Sequence, residues 1–122
     1  MSEKVRGGYT PPVFIELIAV TNSEEIVSAN DGDDAILMIE DKWDTKIKPG
    51  DDLIRLKISN IEQIRRHEFY LSVSATVRRL ITIEDGLISS KLSELLKEIQ
   101  LFESEYKGSV FINRYWLGSE KK

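Results

Sequence analysis

Apolar and polar residues alternate in two neighbouring segments in the middle of the chain. One segment covers residues 54–58 and the other covers residues 69–77. A period of two residues is typical of a strand with one buried face. The turn-forming residues Pro49-Gly50-Asp51 precede the first segment, and the polar stretch 60–67 separates the two. The pattern predicts a long β-hairpin up to Ile83, with one apolar face and one face of hydroxyls and cations.

The alternation slips at Arg78-Arg79. In a regular strand Arg79 would share a face with Val77 and Ile81, while Leu80 would join Arg78 on the polar face. A β-bulge at the two arginines would return Leu80 and Ile81 to the core and would bend the strand. We therefore expect a bulge there.

Further strands are predicted on both sides of the hairpin. Residues 13–21 are apolar on both faces and rich in β-branched side chains, which is typical of a buried strand. Residues 25–29 are a short candidate strand, and the following Asn-Asp-Gly-Asp run at 30–33 has the composition of a hairpin turn. Residues 35–40 are predicted as another strand with a continuous apolar core, and residues 109–117 as the last one.

One helix is predicted, over residues 89–107. Its apolar residues recur at helical spacing, with Ser89 or Ser90 available as N-cap and Gly108 placed to end it. The stripe permits two interpretations, a cover for one end of the strand core or a docking surface for a partner. The candidate partner-interface residues are Leu92, Leu95, Leu96, Ile99 and Phe102.

Successive strands joined by short turns, then a helix and a final strand, predict a mainly β protein with an antiparallel barrel and one long helix. At 122 residues the chain has the length of a single domain. We expect a flexible N-terminal lead over residues 1–12, one domain over 13–118 that includes the helix, and a charged tail over 119–122.

Composition limits the function classes. The chain has no cysteine, which excludes disulfides, thiol catalysis and cysteine-bound metal. It has no apolar run long enough for a membrane span and no signal-peptide core at its start, so an intracellular protein is expected. The net charge of −4 argues against avid phosphate binding by the whole protein, but a local basic strip remains compatible with it.

The best nucleic-acid candidates are Arg65, Arg66 and His67 with Tyr70, because cations bind phosphate and planar groups stack on bases. Three further cations, Arg55, Lys57 and Arg78, point outward from strands and would line the same groove. The alternatives are a solvated hairpin tip and edge-strand charges that prevent aggregation. Trp43, among charged neighbours, is either an exposed stacking platform or a cap on one end of the core.

Catalysis has little support in the sequence. The single histidine, His67, precedes Glu68, and strand alternation sends neighbouring side chains to opposite faces, so the two do not form an acid–base pair. No phosphate-binding glycine loop or metal-ligand spacing is present. We expect a non-enzymatic protein without cofactor or metal.

The segment IKPGDDLIRLKI at residues 47–58, followed by LSVSAT at 71–76, resembles the OB-fold single-stranded-DNA-binding domains of the replication protein A family. The resemblance covers about forty residues and implies a five-stranded Greek-key barrel that binds nucleic acid on its second and third strands. The C-terminal helix is similar to that of the small subunits of this family. Those subunits use the helix to pair with a larger OB subunit.

The resemblance implies a non-catalytic, OB-like subunit of a single-stranded nucleic-acid-binding assembly of the replication, repair or telomere type. Its partner would be a larger OB-fold subunit or a second copy of the chain, with single-stranded DNA as a further ligand. No membrane and no small-molecule substrate are expected. The alternative is a protein-interaction or adaptor module without nucleic-acid binding, which the acidic composition favours.

Overall fold

The computed structural model describes residues 11–84 and 88–118, with the side chains of 88–90 left aside. It contains four strands and two helices in the order β1 (Val13–Ser28), α1 (Gly32–Lys46), β2 (Asp51–Arg65), β3 (Glu68–Ile83), α2 (Ile88–Tyr106) and β4 (Ser109–Leu117). Most of the predicted lead and the charged tail lie outside the described residues, as do the side chains of the two serines proposed as caps of the second helix.

The four strands form one antiparallel sheet in the order β2-β3-β1-β4. With one helix between β1 and β2 and another between β3 and β4, this is the split βαβ arrangement of ferredoxin-like folds. Both helices pack on the same face of the sheet, where their buried residues join the strands in one core cluster. The mainly β prediction is confirmed. The OB-like barrel with a single long helix is wrong, because the sheet ends in two edge strands and is not closed.

Helix α1 replaces the strand predicted at residues 35–40. Asp31 caps the helix, since its side chain accepts a hydrogen bond of 2.9 Å from the backbone N–H of Asp34. The buried residues Ala35, Ile39 and Trp43 recur every four residues, which is the spacing of one helix face. The Asn-Asp-Gly-Asp run is therefore a helix start and not a hairpin turn.

Strand β1 is longer than predicted. Its pairing with β3 continues without interruption from Val13↔Ile83 to Ser28↔Glu68. The short candidate strand at 25–29 belongs largely to this same element. Because β1 and β3 are the two central strands, they supply the continuous frame on which the polar face described below is built.

The predicted β-hairpin is confirmed, but its turn is tighter than the polar stretch 60–67 indicated. Strand β2 runs to Arg65, and only Arg66 and His67 reverse the chain, with His67 at φ +64°. Irregularities in the pairing lie on the β2 side, including one around Asn60, whose φ is +52°. These irregularities bend an edge strand, which discourages pairing with another chain.

The bulge expected at Arg78-Arg79 is absent, since β3 pairs regularly with β1 through both arginines. Arg79 faces the helices and is neutralised there. Its guanidinium donates to both carboxylate oxygens of Asp51 at 2.8 and 2.7 Å, and it also binds Glu105 of α2. The hydrogen bonds from Arg79 to Asp51 raise the pKa of the guanidinium above its ordinary value. Leu80 consequently lies on the other face, 53% exposed.

The predicted C-terminal helix is confirmed as α2, whose ends lie within one residue of the predicted ones. Lys107 adopts the left-handed conformation after it, with φ +56°. Gly108 serves a different purpose from the predicted one: a Cβ atom there would lie 2.6 Å from the carbonyl oxygen of Val20. The glycine therefore allows the chain to pass closely over β1 on its way into β4.

Candidate nucleic-acid interface

The sheet face opposite the helices carries most of the polar side chains of the strands. Cross-strand partners share a face, so the pairing register assigns the residues to rows. In the order β2, β3, β1, the rows from the hairpin tip are Arg65–Glu68–Ser28, Glu62–Tyr70–Ile26, Ser59–Ser72–Glu24, Lys57–Ser74–Asn22, Arg55–Thr76–Val20 and Asp52–Arg78–Ile18. We call this surface the helix-free face.

A shallow cavity of about 470 Å³ lies in the middle of the helix-free face. Its polar lining comes from three adjacent strands: Ser59 on β2, Ser72 and Ser74 on β3, and Asn22 and Glu24 on β1. Hydroxyls and amides both donate and accept hydrogen bonds, whereas the carboxylate only accepts. We call this cavity the polar trough.

Tyr70 lies one row from the polar trough, toward the hairpin tip. A hydrogen bond between its hydroxyl and Glu24 raises the pKa of Tyr70, and burial adds to the effect, while a hydrogen bond with Ser72 opposes it. These contacts hold the phenol ring at the edge of the trough.

Arg55 and Lys57 stand on β2, along one side of the polar trough. Both are exposed and lie two residues apart on the same strand face, so their Cα atoms are separated by about 7 Å. In each row the neighbour on β3 is a hydroxyl residue, Thr76 or Ser74. The arrangement offers two positive charges beside a row of hydrogen-bonding groups.

The other predicted cations on this face are held by carboxylates. Arg78 donates to Asp52 at 2.6 Å and to Glu16 at 3.4 Å. Arg65, at the tip, lies 3.1 Å from Glu68. A phosphate would have to compete with these carboxylates, so Arg78 and Arg65 are weaker phosphate ligands than Arg55 and Lys57.

Toward the chain ends, the helix-free face is closed by an ion cluster around Glu16. This carboxylate is only 4% exposed and accepts hydrogen bonds of 2.9 Å from both Asn113 and Arg114. The hydrogen bond from Asn113, together with Arg114 and Arg78, lowers the pKa of Glu16 although burial opposes the shift. Beyond the cluster, the rings of Phe14 and Trp116 stack at 5.7 Å. The cluster separates these aromatic rings from the polar trough.

The hairpin-tip residues Arg66 and His67 are exposed and form the turn itself. His67 lines a second cavity, of about 470 Å³, with Asp34, Leu37 and Met38 of α1. Its backbone carbonyl accepts a hydrogen bond from Ala29. His67 therefore does not line the polar trough. Of the predicted tip group, Tyr70 is the residue that borders the trough, on the same face as Arg55 and Lys57.

Of the two interpretations of Trp43, the exposed stacking platform is wrong, and the residue belongs to the core. Its side chain is 3% exposed and stacks on Tyr106 at 6.5 Å, in the core between the two helices. Lys46, one turn later, lies over the same ring at 4.5 Å. Trp43 looked exposed in the sequence because charged residues flank it, but in a helix the flanking residues point away from the buried face.

The five candidate partner-interface residues of α2 separate into two groups. Phe102 is fully buried, and Leu95 and Ile99 pack against the core cluster. Leu92 and Leu96 are 56% and 58% exposed. Only the latter two are available to a partner.

The sequence interpretation missed several residues of this surface. Glu16, Asn22 and Glu24 lie on a strand whose first half is apolar on both faces, and Asn113 and Arg114 are distant in sequence. The serines of β3 were visible in the sequence as an alternating hydroxyl series. Their position beside β1 was not visible in the sequence, because it depends on which strand pairs with β3.

No protein-family model matches the chain, and no curated protein or solved structure matches it. Across residues 11–84 and 88–118 there is no group of three or more acidic or histidine side chains placed to hold a metal ion. Neither helix, as far as it is described, is long and apolar enough to cross a membrane. The class of protein defined here is an open split βαβ sheet with a polar, cation-bordered face.

Proposed function

We propose that the chain is a non-catalytic binding protein for single-stranded nucleic acid, with the ligand lying across the helix-free face. The observation that carries the proposal is the placement of Arg55, Lys57 and Tyr70 around the polar trough on one continuous surface. Four-stranded sheets of the RNA-recognition type use this kind of face, with aromatic side chains stacked on bases. The analogy is one of architecture.

The charges of the face favour one course for the ligand. Glu24 and Glu62 adjoin Tyr70 and would repel phosphates near the ring. Lys57 and Arg55 attract phosphates two and three rows away, along β2. We therefore place the phosphates beside β2 and a base over Tyr70 of β3, with the sugar between them. This division limits the number of phosphate contacts, so binding is modest and sensitive to salt.

The first prediction concerns the two cations. Replacing both Arg55 and Lys57 with alanine should weaken binding to a labelled single-stranded oligonucleotide and make the dependence of log K on log salt shallower by about 1.4, which is about 0.7 for each lost phosphate contact. Fluorescence anisotropy at several salt concentrations measures both quantities. Circular dichroism should show an unchanged fold, because both side chains are exposed.

The matched control is Lys91→Ala with Lys97→Ala, which removes the same charge from α2 on the other side of the sheet. Tyr70→Ala should lower the affinity roughly tenfold, whereas Tyr70→Phe should retain the stacking. Equal weakening by the β2 and α2 pairs would mean that binding follows total charge. That result would remove the helix-free face from the proposal.

A second candidate function is protein–protein association through α2 and β4. Leu92 and Leu96 are exposed, and so are Ile112 (43%) and Tyr115 (72%) of β4. Glu105 points toward Arg79 of β3, and Leu96, nine residues earlier, lies 180° away on the helix. Leu96 therefore lies on the flank of α2 that is directed toward β4. Ile112 and Tyr115 share the helix-bearing face of β4, since they pair with Leu17 and Ile15.

The second prediction tests this surface. If the chain self-associates through it, Leu96→Asp should abolish a concentration-dependent increase in mass measured by light scattering. Leu101→Asp is the matched control, because Leu101 is also half exposed but lies 140° from Leu96 on the helix. A wild-type protein that stays monomeric at every concentration would contradict self-association. An equal effect of the two variants would contradict its assignment to this surface.

A further inference from the structure

The row next to Tyr70 on the helix-free face combines groups suited to a sugar rather than to a base. Ser59, Ser72 and Glu24 occupy this row, and Ser74 and Asn22 follow in the next one, beside Lys57. Neighbouring rows are about 7 Å apart along the strands. An aromatic ring, a hydroxyl-lined trough and a cation thus follow one another in successive rows, in the order base, ribose and phosphate.

We propose that the polar trough binds the ribose 2′-hydroxyl, so that the protein prefers single-stranded RNA to single-stranded DNA. This inference rests on the proposed function and specifies its ligand. The 2′-hydroxyl both donates and accepts hydrogen bonds, and it is the group by which a protein distinguishes RNA from DNA. Glu24 can only accept hydrogen bonds, so the 2′-hydroxyl donates to it, while Asn22 and the serine hydroxyls can donate to the hydroxyl oxygen.

The contacts within the trough support a site that is held in place before the ligand arrives. Glu24 and Ser72 hydrogen-bond the hydroxyl of Tyr70, and the side-chain amide of Asn60 lies 3.5 Å from the Ser72 hydroxyl. These contacts direct the Glu24 carboxylate and the Ser72 hydroxyl toward Tyr70, and the two residues are direct cross-strand partners on β1 and β3. The carboxylate of Glu24 has acceptor positions besides the one that the Tyr70 hydroxyl uses, and a deoxyribose in the same position would offer no hydroxyl hydrogen to them.

Charge favours the same occupant. Lys57 lies in the row of Ser74 and Asn22, so a phosphate attached to a ribose in the trough would lie beside a cation. A free neutral sugar would leave Lys57 and Arg55 without a function on this surface. The polymer backbone uses the trough and the cations together.

The experiment compares the affinities of the full-length protein for labelled oligo-U, oligo-dU and 2′-O-methyl oligo-U of equal length. Oligo-U and oligo-dU differ only at the 2′ position. Wild-type protein should bind oligo-U about tenfold more tightly than oligo-dU. The affinity for the 2′-O-methyl oligomer should fall to the oligo-dU level or below, because this oligomer has no 2′-hydroxyl to donate a hydrogen bond to Glu24.

The variants assign the preference to the trough. Glu24→Gln, and separately Ser72→Ala with Ser74→Ala, should bring the oligo-U to oligo-dU ratio close to one, and circular dichroism should show an intact fold. Arg55→Ala should weaken both oligomers and leave the ratio unchanged. The ratio is the readout because removing the Glu24 charge also changes the general attraction for phosphate.

Each outcome decides one of the two proposals. Equal binding of oligo-U and oligo-dU, or a preference that survives the trough variants, would overturn the ribose assignment while the proposed nucleic-acid function stands. Failure of all three oligomers to bind at low salt would overturn both. A preference for oligo-U that disappears in the trough variants supports both.

Discussion

Glu16 has almost no solvent contact, although it lies on the sheet face that carries no helix. Asn113 and Arg114 of β4 and Arg78 of β3 surround its carboxylate. An ionised group with so little access to water is retained only where hydrogen bonds and opposite charges compensate for lost hydration. Glu16 thus ties the edge strand β4 to the two central strands by charge, on the side where no apolar core does so.

The third prediction follows from the lowered pKa of Glu16. A carboxyl group whose pKa in the folded state lies below its ordinary value of 4.5 stabilises the fold above that pH. That contribution disappears as the pH falls through the folded-state pKa. Glu16→Gln should therefore lower the free energy of unfolding by about 1–2 kcal/mol at pH 7 and reduce the loss of stability as the pH falls below 4.5.

Urea denaturation at several pH values measures this effect. Glu68→Gln is the control, since Glu68 pairs with an arginine that is 78% exposed and such pairs contribute little. An acid sensitivity that Glu16→Gln leaves unchanged would show that other carboxylates determine it.

Among the elements, the passage from α2 into β4 depends on close contact between backbones. The chain crosses β1 at Val20 and Thr21 directly after the helix, and Gly108 is the residue that passes over them. Its backbone is not in the left-handed region, which Lys107 occupies instead. Space, and not backbone conformation, therefore requires glycine at position 108.

The fourth prediction is that Gly108→Ala lowers the free energy of unfolding by about 1–3 kcal/mol, because the new methyl group would lie 2.6 Å from a backbone oxygen that cannot move away independently. Gly32→Ala is the matched control. A Cβ atom there would meet only the Ile61 side chain at 3.9 Å, so we expect a change below about 1 kcal/mol. Thermal denaturation of the two variants compares them, and a Gly108→Ala protein as stable as Gly32→Ala would refute the steric explanation.

In the molecule as a whole, one core cluster joins both helices to the two central strands, and partly buried residues of β2 and β4 pack against it. Trp43 of α1 stacks on Tyr106 of α2, whose hydroxyl donates to Asp51 at the start of β2 at 2.6 Å. Burial raises the pKa of Tyr106, and the hydrogen bond to Asp51 adds to the shift. Helices, hairpin and central strands are thus connected through one set of buried contacts.

The fifth prediction is that the protein unfolds in a single transition, as small domains with one core do. In a Trp116→Phe variant, which keeps an aromatic ring against Phe14, fluorescence reports on Trp43 alone. Its denaturation midpoint should coincide with the midpoint of the far-ultraviolet circular dichroism. A fluorescence transition that precedes the loss of strand signal would show that α1 detaches as a separate unit.

Local periodicity was sufficient for the hairpin, for α2 and for the last strand. In each of these the buried face is encoded by residues two or three to four positions apart, and the elements are long enough for the pattern to be unambiguous. The polar face of the hairpin was also correct at Arg55, Lys57 and Tyr70, whereas Ile54, predicted on the apolar face, is 50% exposed beside a pairing irregularity. These features depend on near neighbours in the chain, so they could be inferred without knowing the fold.

Residues 35–40 and Arg79 show where local pattern is insufficient. A short apolar run fits a buried strand or a helix face equally well, and the choice depends on the cap at Asp31 and on Trp43 packing against Tyr106. Arg79 was expected to force a bulge, but Asp51 and Glu105, 28 and 26 residues away, neutralise it in the regular strand. The open sheet, as opposed to a closed barrel, likewise depends on contacts between distant segments, which alternation along the chain does not encode. The same holds for the polar trough, which forms only where β1 lies beside β3.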